Sequence, residues 1–380
     1  MTSALLDEVV RAAVRDARHA PSSHNAQPWQ AVIAGSPEAR AALMTLGDDV
    51  LVEKNTAFIV VALDPARCLS ALPAHRIEML VSAGAYLESL FVALDAGGLA
   101  VSVVWRSGDE GAEKLSALTP GWEPVALVAA RRGSGPVTEA SLRRRTLLAM
   151  RRTHRGAYRR DPIAPSALAS LSDAASLAFP GSRDLCELVL LTDAGVRATV
   201  GHLLREHGAI EFTHAAAWAE TYAHIRFDDS VLAGDGLPIE ALLAKPLPHW
   251  QKRLLATALS PGAMRALAPL GLARAITAAT AQNIAASPLL VYLRFRANDP
   301  PPSACLAGGA LVQSVWLALA EHGLVLHPVS VLLQHDTLRA TLDGRIGQNG
   351  GRGFFLARAG SPVDTSCPFA PRRVLEPRRA

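Results

Sequence analysis

Apolar residues recur every three or four positions from Leu5 to Ala17, and the pattern then stops at a polar turn, Pro21-Ser22-Ser23-His24-Asn25. That spacing predicts a helix with one face toward a core, ended by turn-forming residues. β-Branched runs predict strands at Ala31 to Ala34, Ala57 to Leu63, Ala100 to Val104, from Leu188, at Leu289 to Leu293 and at Val325 to Val331. A further helix is expected from Glu139 to about Met150.

Part of this pattern occurs twice. Ser82-Ala83-Gly84-Ala85-Tyr86-Leu87-Glu88-Ser89-Leu90-Phe91-Val92-Ala93-Leu94 leads to Gly98-Leu99, and 225 residues later Ala307-Gly308-Gly309-Ala310-Leu311-Val312-Gln313-Ser314-Val315-Trp316-Leu317-Ala318-Leu319 leads to Gly323-Leu324. In both copies small residues fall at helical spacing, giving a face that another helix can approach closely. Pro21 to Asn25 corresponds more loosely to Pro180-Gly181-Ser182-Arg183-Asp184. The change of offset implies an insertion of roughly sixty residues at about 203–273, too long to lack structure of its own. Periodicity breaks at Arg131 to Thr138, so the expected organisation is α+β: two tandem units, 1–135 and 136–380, each with a central β-sheet flanked by helices. Fusing an ancestral homodimer in this way leaves one of its two interface sites free to decay.

The chain has 380 residues, half of them apolar, and a formal net charge of +4. A substantial core is therefore possible, and disorder is not the default reading. The four cysteines are far apart and without CxxC spacing, which argues against a disulfide framework or a zinc site and suits a reducing compartment. No signal peptide is recognisable, and apolar runs are interrupted by charges, so a cytoplasmic protein without membrane spans is expected.

Two segments carry candidate chemistry. Pro21 to Trp29 offers Ser22, Ser23, Asn25 and Gln27 as donors and acceptors on a loop stiffened by two prolines, able to read the polar edge of a planar ring, although from the residues alone a helix stop and turn is the plainer reading. The second segment, Arg151-Arg152-Thr153-His154-Arg155, belongs to a stretch with eight arginines from Arg143 to Arg160. If extended, it turns Arg151, Thr153 and Arg155 toward one anion, as a phosphate monoester requires. A solvated helix face and a nucleic-acid patch are the competing readings, the latter without an aromatic platform or groove-reading motif. A ring-reading loop together with a phosphate cluster suggests a flavin. Among the histidines, His24 lies where it can face a substrate. His214, His224, His249 and His327 are scattered and read as structural or surface groups. No GxGxxG, P-loop or GxSxG element is present.

Arg18-His-Ala-Pro-Ser-Ser-His-Asn-Ala-Gln-Pro-Trp29, Arg151-Arg-Thr-His-Arg155 and the closing Phe369-Ala-Pro-Arg-Arg-Val-Leu-Glu376 together resemble the signatures of the FMN-dependent nitroreductase superfamily. The fused arrangement is similar to its Acg-type branch, NAD(P)H nitroreductases of actinobacteria. The resemblance implies one composite FMN at the interface of an intramolecular pseudo-dimer, because only the first half has a full loop motif and only the second keeps the arginine motif. It implies that Arg151, Thr153 and Arg155, with Arg372 or Arg373, hold phosphate or ribityl oxygens. Pro21, Ser22, Ser23, Asn25 and Gln27 would line the cofactor from the opposite half. Ser330, after Pro328 and Val329, is a candidate contact to the ring, though it reads equally as a strand end; Asn283 is a candidate at the ring edge. Thr153 stands where the family usually has Ser, and keeps the hydroxyl. The insertion resembles a lid.

The expected activity is hydride or electron transfer between NADH, NADPH or an organic donor and a small-molecule acceptor (nitro, quinone or biosynthetic intermediate) in a ping-pong cycle. It needs no side-chain nucleophile, metal, nucleic acid or membrane. The alternative is a flavin-sequestering or sensory protein with little turnover.

Overall fold

The structure, a computed structural model, describes residues 3–44, 46, 56–107, 111–177, 182–228, 234–268 and 270–380. Pro180 and Gly181 of the weaker repeat lie outside the described residues, as do 229–233 and 269 of the expected insertion. In the first half, β1 (Trp29–Ile33), β2 (Ala57–Leu63), β3 (Leu99–Arg106) and β4 (Glu123–Arg132) form an antiparallel sheet. In the second half, β5 (Cys186–Leu191), β8 (Leu289–Phe295), β9 (Val325–Pro328) and β10 (Arg352–Gly360) form another in the order β5-β8-β10-β9. Between them in sequence, β6 (Ile225–Arg226) and β7 (Leu237–Pro238) make a short parallel pair. The first sheet is completed from far away: β11 (Arg378–Arg379) adds in parallel to β1, giving the order β11-β1-β2-β4-β3.

The two repeated segments are the central helices, Pro73–Ala96 and Pro302–Glu321, packed directly against each other. Their small residues explain the contact. A Cβ added to Gly84 would lie 2.0 Å from the carbonyl oxygen of Leu306, and one added to Gly309 would lie 1.9 Å from that of Val81. Each helix thus meets the other's backbone at its own glycine, as two copies of one surface related by a twofold-like exchange should. A carboxylate crosses the same interface: buried Glu88 accepts from Ser314 Oγ at 2.8 Å and from Arg144 Nη2 at 3.2 Å. Arg143 and Arg145 pair with Glu321 at 3.2 Å and Asp16 at 2.6 Å, so the first part of the arginine run fastens helix Glu139–Met150 to both halves.

Two sequence expectations change. The strand expected to reach Val331 ends at Pro328, which cannot donate to a ladder, and Val331–Gln334 turns into a short helix. Helices Pro73–Ala96 and Pro302–Glu321 are long and apolar enough to cross a membrane, contrary to the reading of interrupted runs; 78% and 89% of their most apolar windows are buried inside the protein. The insertion is bracketed by helices Ala194–His207 and Leu272–Ala286, which pack on each other. Between them the chain builds a small core of its own around Trp218, Ile239 and Met264.

Candidate functional site

A cavity of about 720 Å³ lies where the two halves and the insertion meet. That size matches the ordinary range for a cofactor or drug-sized ligand. Its wall includes Pro21, Ser22, Ser23, His24 and Asn25 from the first half, and Arg151, Thr153, Arg155, Ser330 and Arg372 from the second. Phe212, Trp218, Ile239 and Leu255 close it from the insertion. The two motifs, 122 residues apart from Trp29 to Arg151, therefore meet in space.

The arginines are the least ordinary part of the wall. Arg151 is 5% exposed and donates Nη2 to the carbonyl of His19 at 2.6 Å, while its Nε and Nη1 are buried without partners. Its guanidinium lies 4.4 Å over the Trp316 ring. Burial, then the nearby Arg372, holds its pKa well below the usual arginine value. Burial likewise brings Arg155 and Arg372 down to about 10. Among the described residues none of these three pairs with a carboxylate. Buried cations lacking counter-charges are costly unless an anion arrives to satisfy them. Arg152 departs from the alternation expected of an extended segment: it also lines the cavity, with its guanidinium 3.9 Å over Phe369. The segment is not a regular strand, and Thr153 forms only an isolated bridge to Leu326.

The loop at 21–28 is tightly wound. His24, Asn25 and Gln27 have φ of 49°, 53° and 51°, in the left-handed region that side chains disfavour. Hydrogen bonds hold it there. Ser22 Oγ accepts from Gln27 N at 3.0 Å, Ser82 Oγ from Ser23 N at 3.2 Å, and Ser23 Oγ donates to Glu78. Trp29 anchors the end, fully buried and stacked on Tyr86 at 5.1 Å.

Four candidates are redirected. Asn25 lines the cavity, but its Nδ2 donates to the carbonyls of Gly236 at 2.8 Å and Pro371 at 2.9 Å, and its Oδ1 accepts from Arg372. Gln27 does not line the cavity: its Nε2 donates to the Gly234 carbonyl at 2.8 Å and its Oε1 accepts from Arg373 N at 3.1 Å. Arg373 also points away, its guanidinium donating to the carbonyl of Trp29. Asn283 sits on helix Leu272–Ala286, away from the cavity wall. Long-range backbone partners occupy these amides, so they clamp the insertion and the C-terminal tail onto the loop. The glycines suit that clamp: Gly234 and Gly236 have φ of 69° and 71°, and a Cβ on Gly234 would lie 2.6 Å from Arg373 Cα.

Several wall residues carry no local sequence signal. Glu78 accepts from Gln334 Nε2 at 2.9 Å. Glu211, from the insertion, is pushed up from 4.5 to about 7, first by burial and then by the Glu78 carboxylate. A raised folded-state value means that the folded protein holds the extra proton between roughly pH 4.5 and 7. Its contribution is present below pH 4.5 and is lost as pH rises through 7. Hydrogen-exchange protection of the described insertion residues should therefore fall across that window in the wild type and stay level in Glu211→Gln. A level wild-type profile would refute the assignment. His24 is pushed down to about 3 by burial, then by His224, His75 and Arg155, so its imidazole is neutral at ordinary pH.

Comparison with known proteins places the chain beside one group. A model described as the Nitroreductase family matches residues 1–130 and 148–346. "Probable NAD(P)H nitroreductase PigM" of Serratia sp. (strain ATCC 39006) is 27% identical over 381 residues, covering 99% of this chain and 94% of that protein. Among solved structures, the FMN-dependent nitroreductase NfnB of Mycobacterium smegmatis in complex with NADPH shares 16% identity with a TM-score of 0.37, covering 60% of this chain and 91% of its own. A nitroreductase with bound FMN from Desulfitobacterium hafniense DCB-2 shares 13% identity with a TM-score of 0.35, covering 60% and 94%.

Proposed function

Because the chain belongs to the nitroreductase family, we propose that it is an FMN-dependent oxidoreductase using NADH or NADPH as donor and holding one FMN in the cavity between its halves. The observation that carries this reading is Arg151, a buried guanidinium with two unpartnered donor nitrogens in a wall with two further uncompensated cations. In this reading Arg151, Thr153, Arg155 and Arg372 hold the phosphate and ribityl oxygens, and Pro21, Ser22, Ser23 and Ser330 line the ring. A bound flavin supplies hydride acceptance and release. The chain's own residues supply position, a fixed positive field and a cover that excludes water. In this reading a bound flavin would serve donor and acceptor in turn, a ping-pong cycle, and His24, on the cavity wall, would face the acceptor. The name of the 27% identical relative supports a reduced nicotinamide as donor.

Two units meeting near residue 135 belong to the same proposal, with 203–273 as a lid and the single chain acting as its own dimer. The clamp from Asn25 and Gln27 to Gly236 and Gly234 also favours a second reading, in which the lid stays shut over the flavin and turnover is slow. Purified protein should show flavin absorbance and oxidise NADH or NADPH with quinone or nitro acceptors. A colourless chain that no added FMN reconstitutes overturns both readings; a yellow chain inert to every donor selects the second.

A further inference from the structure

His327, at the end of β9, forms part of the cavity wall beside Pro328 and Ser330. Its Nδ1 accepts a hydrogen bond of 3.0 Å from Nε of Arg358. Arg358 is 1% exposed and held from three further sides: it donates Nη2 to the carbonyls of Arg155 at 2.6 Å and Gly156 at 2.9 Å, and lies 4.1 Å over the Tyr158 ring. A guanidinium is always a donor, so the imidazole nitrogen facing it must be the bare one. The ring proton of the neutral imidazole is then fixed on Nε2.

A second proton is disfavoured by the surroundings. The titratable and charged groups that face His327 are Arg155, Arg358 and the His154 ring, with no carboxylate among them; burial, then Arg155 and Arg358, drives its pKa well below the usual histidine value. We propose that His327 is a fixed, uncharged hydrogen-bond donor into the cofactor cavity. It presents Nε2–H to an oxygen or nitrogen acceptor on the bound ring, and Arg358 is the positioning residue that sets its tautomer. This rests on the flavin reading above and adds to it a redox role for a residue outside both motifs. A neutral donor favours the more electron-rich, reduced ring without giving up its proton, so it raises the reduction potential and adds no acid–base step.

The test has one arm that needs no flavin. Nitrogen NMR of histidine-labelled protein, with the His327 signal identified by its loss in His327→Phe, should show the neutral Nε2–H form from pH 5 to 9. An Nδ1–H form, or an imidazolium appearing near pH 6, overturns the proposal. In the flavin-loaded protein, His327→Phe should weaken binding of reduced relative to oxidised FMN about tenfold, lowering the two-electron potential by about 30 mV. His327→Gln keeps an acceptor for Arg358 and a donor for the ring, and should restore most of the shift. An unchanged potential in the folded, yellow Phe variant overturns the donor role. Failure of the wild type to take up FMN at all is instead the failure of the flavin reading, and is told apart by absorbance alone.

Discussion

Replacing Arg151 and Arg155 together by alanine should bleach the protein. Each guanidinium can give charge-assisted hydrogen bonds worth about 1.5–3 kcal/mol to a phosphate, so losing both should cost about 3–6 kcal/mol, or roughly 10²- to 10⁴-fold in FMN affinity. The apo protein should not suffer in proportion. Arg151 has two unpartnered donors and Arg155 no carboxylate partner, so removing these cations from the ligand-free wall relieves a desolvation cost. The expected signature is an apo melting temperature at or above that of the wild type, with the stabilisation by added FMN abolished. Retained stoichiometric flavin in the double variant would contradict the phosphate assignment.

Gly309→Val should be the most destabilising single change outside the cavity. The new Cβ would lie 1.9 Å from the Val81 oxygen, 2.7 Å from Ala85 N and 2.8 Å from Gly84 Cα, all backbone atoms or next to backbone in the facing helix. No side chain can turn aside, so the helices must separate. Overpacking usually costs about 1–3 kcal/mol, and a backbone-limited clash should reach the top of that range or exceed it. Chemical denaturation checks this, with Gly344→Ala as control. Gly344 lies within a helix with nothing inside 4 Å of an added Cβ, and the change should be neutral or stabilise by about 0.5–1 kcal/mol. Equal midpoints for Gly309→Val and wild type would mean that the helices are less tightly seated.

The repeat made the architecture readable, because the glycines and alanines of Ser82–Leu94 and Ala307–Leu319 are where two backbones touch. Strands β4 and β10 were harder to see: arginines stand at their ends, at Arg131, Arg132 and Arg352, and Arg358 inside β10 is buried through contacts that no local pattern reveals. The site divides in the same way. Pro21 to Asn25 and Arg151 to Arg155 could be singled out by residue type and brought together only by the fold. Gln27 and Arg373 looked like ligand-binding residues, yet each other, Gly234 and Trp29 claim them. Glu78, Glu211 and His327 had no signal, since each matters only through a neighbour at least 31 residues away in the chain.

The pairing of Arg378–Arg379 with β1 also governs the order of events during synthesis. While the ribosome is still making the second half, Trp29–Ile33 has β2 on one side and an open edge on the other. The N-terminal sheet cannot be completed until residue 379 has emerged, so nascent chains carry an exposed β1 edge until then, a vulnerability to mispairing that pairing with Arg378 and Arg379 removes.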